Sequence, residues 1–196
     1  MSLSKKLASL ISAVTASPLF AMLLLILISC IKKDVFYPLS PIKGIILGTI
    51  FLTVIPTAPI LVSAATGRTD IYITEKNKRF WFFVIAISSH ITGAMLSLAL
   101  GSFFLFGFHL SYFTVTSVIT IATFKTKVSV HAAGITGPIT FIAFFLGIDF
   151  AVLYLIVIPV AWARLKLKAH TMKQIVLGIA ISVIVTLLTS IMLVRV

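Results

Sequence analysis

The sequence predicts an all-α, polytopic integral membrane helix bundle with about six to seven transmembrane helices, on three observations. Of the 196 residues, 60% are hydrophobic and only 10% charged, and the mean hydropathy of +1.23 lies far outside the range of water-soluble domains. The charged residues stand in short clusters separated by long uncharged stretches. Those stretches have the lengths of one or two bilayer crossings, at ~20 residues per helical span.

Taken in order, the first stretch is Leu7–Ile31, between Lys6 and Lys32. It is too long and too weakly marked at its end to read as a cleaved secretory signal. Pro18 interrupts it, and Ser9, Ser12, Thr15 and Ser17 make its start more interfacial than buried. Gly44–Gly67, between Lys43 and Arg68, is the second span. Phe80–Phe124 has no formal charge and is long enough for two helices, with Gly101-Ser102 and Gly107 offering a turn. Val128–Ala163 holds a single charge, Asp149 beside Gly147, and reads as two short, tightly turned helices. Gln174–Val194 is the last span. Residues 1–196 thus form one membrane domain, in which 7–67 are the N-terminal helices, with no soluble domain, internal repeat or long linker. The lone Cys30 has no disulfide or metal-ligand partner by spacing and reads as a small packing residue.

Seven spans put Lys5, Lys6, Arg68, Lys76, Lys78, Arg79, Lys125, Lys127, Arg164, Lys166, Lys168 and Lys173 on one side, leaving Lys32, Lys33, Lys43 and Arg195 on the other. The positive-inside rule assigns the richer side to the cytoplasm. The expected location is the plasma membrane of a prokaryote. The net charge of +12 does not point to nucleic acid, because the cations are short clusters at helix ends with no folded domain to present them to a groove. The expected partners are the lipid bilayer and its anionic headgroups. Oligomeric state is not legible.

Polar groups at membrane depth carry the functional signal. His90 lies roughly 16 Å past Arg79 along a helix rising 1.5 Å per residue and reads as an interhelical hydrogen-bonding residue. His109, near the sparsely charged side, is expected to face water or headgroups. His131 follows Lys125, Lys127 and Ser129; His170 follows Arg164, Lys166 and Lys168, on the same side. Taken singly, each reads as an interfacial histidine in a basic loop. The acidic residues are only Asp34, Asp70, Glu75 and Asp149. They include no paired aspartate motif to hold a metal diphosphate, so no metal or other cofactor is expected. Asp70 and Glu75 read as a loop salt-bridged to Lys76, Lys78 and Arg79.

Taken together, Lys127-Val-Ser129-Val-His131 and Arg164-x5-His170-x3-Gln174 resemble the second and third signatures, PSGH and SR-x5-H-x3-D, of the type 2 phosphatidic acid phosphatase superfamily. Residues 70–79 resemble a degenerate form of its first signature, K-x6-RP, with Arg79 at the arginine. The resemblance covers roughly Asp70 to the C-terminus and implies a family-like catalytic core over 68–196. Three departures stand out. Val128 and Val130 replace proline and glycine, Tyr72 and Phe80 replace the lysine and proline of the first signature, and Gln174 replaces aspartate. Lys76 or Lys127 would supply the missing cation.

The resemblance implies a lipid phosphate phosphatase, a phosphoric ester or diphosphate hydrolase. It would act on a lipid phosphomonoester or isoprenoid (di)phosphate through a phosphohistidine and without a metal. His170 is the candidate nucleophile, since imidazole, with an ordinary pKa of about 6.5, is neutral at working pH. Gln174, one helical turn on, would fix its tautomer. His131 would act as general acid. Arg164, Arg79 and a lysine, Lys76 or Lys127, would bind the phosphate oxygens, and Ser129 would add a hydroxyl donor. The alternative is a non-catalytic lipid-binding protein or small transporter on the same scaffold, which the valines and Gln174 favour.

Overall fold

A computed structural model describes residues 2–69 and 79–195, together with the backbone of 76–78. Among the described residues there are eight helices and no strand. They are α1 (Leu3–Val14), α2 (Ser17–Ile31), α3 (Pro41–Ala65), α4 (Lys76–Ala99), α5 (Phe103–Lys125), α6 (Val130–Leu146), α7 (Ile148–Lys166) and α8 (Met172–Arg195). Within the described residues, five helices are long and apolar enough to cross a membrane: α3, α4 from Arg79, α5, α7 and α8. The pair α1 and α2, bent by 63°, makes a sixth as a broken span, and α6 is shorter.

The break before α2 falls where Pro18 stands, in the first turn of a helix, where its missing N–H costs no hydrogen bond. α1 is amphipathic. Leu3, Leu7, Leu10 and Val14 are exposed, whereas Ala8 and Ser12 are fully buried against α7. The interfacial reading of this stretch is therefore corrected at Ser12, whose face meets protein. Cys30 is exposed at the end of α2, not packed.

Proline also shapes α3. Pro56 cannot donate to the carbonyl one turn earlier, and the helix widens to a π segment over Ile50–Val54. The Phe51 carbonyl there accepts from Ser89 Oγ of α4 at 2.7 Å, and Thr53 Oγ1 donates to the Pro18 carbonyl at 2.6 Å. The α4–α5 turn carries Gly101 at φ +76, and the α6–α7 turn carries Gly147 at φ +130, conformations that a side chain resists. α7 opens with a 3-10 stretch, Ile148–Ile156, before its α-helical part, Val157–Lys166. At roughly 2.0 Å rise per 3-10 residue and 1.5 Å per α residue, the segment reaches about 33 Å, enough for a hydrocarbon layer of about 30 Å.

α6 is the centre of the bundle, buried without interruption from Ala132 to Ile142 and packed on α2, α5, α7 and α8. Since lipid tails are as apolar as leucine, helix association in a bilayer depends on close packing and interhelical hydrogen bonds. Both occur here. Gly134 lies directly against Ser17, and Phe141 packs among Phe104, Phe108 and Phe145 with ring centroids 4.5 to 5.5 Å apart. Hydroxyl pairs join Thr136 to Ser182 at 2.5 Å, Thr114 to Thr189 at 3.0 Å and Thr140 to Tyr154 at 2.5 Å.

Candidate functional site

The fold gathers the sequence-predicted residues at one end of the bundle. α4, α6 and α8 begin there, while α5 and α7 end there. Arg79 therefore lies in the first turn of α4, His131 in the first turn of α6, Arg164 in the last turn of α7 and Gln174 in the first turn of α8.

The α7–α8 turn accounts for the spacing of Arg164 and His170. The Ala169 N–H bonds the Arg164 carbonyl at 3.1 Å and the Lys168 N–H bonds the Leu165 carbonyl at 2.9 Å, the paired bonds of a Schellman cap. Lys168 takes the left-handed position of that cap, at φ +53, where glycine is the usual occupant. The chain thus reverses sharply, bringing His170 back into the field of Arg164.

Thr171 and Gln174 then start α8 with a capping box. The Gln174 N–H reaches Thr171 Oγ1 at 3.4 Å, and Gln174 Oε1 accepts from the Thr171 N–H at 3.2 Å. The same Oε1 lies 3.1 Å from His170 Nδ1. A carbonyl oxygen only accepts, so Nδ1 carries the proton and Nε2 keeps its lone pair. His170 is half-buried, and its pKa is lowered to about 4. Desolvation is the largest cause; the charges of Arg164, Lys127 and Arg79 act in the same direction, against the bond to Gln174. The ring is neutral at pH 7.

His131 is half-buried, within the fields of Arg164 and His170 and within electrostatic reach of the Ser12 backbone. Arg164 is 4% exposed and donates from Nη1 to Ser12 Oγ at 2.6 Å. Ser129 is fully buried as the N-cap of α6, its Oγ accepting from the Ala132 N–H at 3.4 Å. Its own N–H bonds the Gln174 carbonyl at 3.2 Å. A Cβ on Gly178 would stand 2.6 Å from the Ser129 carbonyl, so glycine is what lets α8 approach the start of α6 so closely. Ser129 thus joins two site-bearing helices. The Lys76 side chain lies outside the described residues, as do Asp70 and Glu75 with their expected ion pairs. Among the described residues no three His, Cys, Asp or Glu side chains gather as metal ligands.

The other two histidines are elsewhere, in the membrane interior. His109 is fully buried, contrary to the expectation that it faces water or headgroups, with Nδ1 2.8 Å from the Leu105 carbonyl and 3.3 Å from Ser97 Oγ. His90, expected to bond between helices, finds no hydrogen-bond partner among the described residues and packs edge-on against Tyr112. Sequence reasoning missed Ser12. The available signal was the pair Ala8 and Ser12, small residues four apart on one face of α1. It also passed over Ala163, which stands at the serine of the third signature.

Fold and composition define a polytopic, all-α integral membrane protein. Compared with known protein families, curated proteins and solved structures, the chain has no match.

Proposed function

We propose that the protein is a lipid phosphate phosphatase, hydrolysing a lipid phosphomonoester or isoprenoid (di)phosphate through a phosphohistidine and without a metal. Its setting would be a prokaryotic plasma membrane, with the basic face in the cytoplasm. One observation carries the reading: His170 is held by Gln174 as a neutral ring with Nε2 unprotonated, within the fields of Arg164, Lys127 and Arg79. A nucleophile and anion-binding cations are thereby brought together, and the first turns of α6 and α8 add helix N-termini that favour an anion.

In the reaction, the Nε2 lone pair attacks phosphorus and the P–O bond to the lipid breaks. The leaving alkoxide takes a proton from a nitrogen of the His131 ring. The bound dianion's charge favours a proton at that nitrogen. Water then attacks phosphorus as His131 accepts the water's proton, the P–N bond breaks, and phosphate leaves with His170 restored. Arg164 and Arg79 present donors matched to phosphate oxygens, and Lys127 adds a point charge. The lipid chain stays in the bilayer.

The test is phosphate release from a panel of lipid phosphates by detergent-solubilised protein, with acid-labile, base-stable labelling of the protein by a radioactive substrate. Labelling in the parent and none in His170→Ala is the expected result; turnover undiminished in His170→Ala would sink the nucleophile assignment. A second reading, a non-catalytic lipid-binding protein or small transporter, is favoured by one observation. Val128 and Ser129 are fully buried, so this part of the second-signature stretch is turned into the bundle. Lipid phosphate binding without release would select it.

A further inference from the structure

We infer that Ser12, on the N-terminal helix α1, is a positioning residue of the phosphate site, acting through Arg164; the inference rests on the phosphatase reading. Three observations carry it. Ser12 is fully buried although α1 otherwise turns Leu3, Leu7, Leu10 and Val14 outward. Its Oγ accepts from Arg164 Nη1 at 2.6 Å across 152 positions of sequence. Its backbone lies within electrostatic reach of the His131 ring. No other residue of α1 bonds Arg164 among the bonds described.

The chemistry is specific. A guanidinium on a long stem has several rotamers, and a neutral hydroxyl holding one Nη fixes its plane without neutralising the charge, as a carboxylate there would. The direction in which the guanidinium presents its charge is thereby set.

The experiment uses the full chain in a non-ionic maltoside. Calorimetric titration with inorganic phosphate should show binding weakened about tenfold in Ser12→Ala, which removes the acceptor while keeping the helix and the carbonyl. Ser12→Thr should restore affinity to within about threefold, because the hydroxyl returns. In an Arg164→Ala background, Ser12→Ala should change nothing further, as expected of a residue acting through Arg164. With substrate, KM should rise about tenfold while kcat stays within about threefold. Unchanged phosphate affinity in Ser12→Ala, or a loss that persists in the Arg164→Ala background or is not rescued by threonine, overturns the inference. Failure of the parent itself to bind phosphate overturns the phosphatase reading, and this inference with it.

Discussion

Two pairs of histidines occupy this bundle, in opposite circumstances. His131 and His170 lie at the basic end, half-buried and within the field of Arg164, and the His170 ring is held by Gln174. His90 and His109 lie in the interior, nearly or wholly buried, contacting Tyr112, Phe51, Ser97 and the Leu105 carbonyl. Imidazole is the same reagent in both places. The first pair stands in the field of cations able to receive an anion; the second has aromatic edges, a hydroxyl and a backbone oxygen. What surrounds a histidine, more than its depth or its rarity, separates a site from a packing residue.

The largest effect that could break this contrast is on turnover. On the phosphatase reading, His170→Ala should lower kcat by about 10³ or more, since it removes the nucleophile itself. His90→Leu should leave turnover within about threefold and the melting temperature no lower, because replacing a buried unpaired polar ring by an apolar side chain is near neutral. Phosphate-release assays and thermal unfolding in detergent check both. Equal losses in the two variants would erase the distinction.

Next comes Gly178→Ala. Its Cβ would meet the Ser129 carbonyl at 2.6 Å, so α8 must retreat from α6. The expected cost is about 1–3 kcal/mol of stability, with loss of activity because His131 and His170 ride on the two helices being separated.

The contrast is sharpened by pH. His170 must be neutral to attack, so kcat/KM should fall as pH drops toward about 4. In Gln174→Glu the capping box is kept and an anion is placed against Nδ1, which favours the protonated ring. The acid limb should therefore move up by about one pH unit, as read from the pH–rate profile. An unmoved profile would separate Gln174 from His170. The stability linkage has a definite sign. The folded pKa, about 4, lies below the ordinary 6.5, so the folded state binds fewer protons. Stability is then lost as pH falls from 6.5 toward 4, and His170→Ala should flatten that loss.

The smallest effect is Lys168→Gly. Glycine takes φ +53 without the Cβ penalty, and the Schellman cap itself uses only backbone atoms. A gain of about 0.5–1 kcal/mol in unfolding free energy is expected, with turnover unchanged.

By itself the sequence determined that the chain is a membrane helix bundle and where most of its turns fall, although Gly107, also offered as a turn, lies buried inside α5. Charge clusters and Gly101 and Gly147 mark helix ends through local chemistry, and a bilayer admits almost no other spanning structure for such stretches. It also determined the pairing of His170 with Gln174, because a four-residue separation at a helix start is a local distance. Only the tertiary structure decided that Ser12 meets Arg164, that Ser129 and Gly178 join α6 to α8, and that His109 is sealed inside. Each depends on which faces of distant helices meet. Helices in lipid choose those faces by close packing and hydrogen bonds spread over many residues, and no spacing along the chain records that choice.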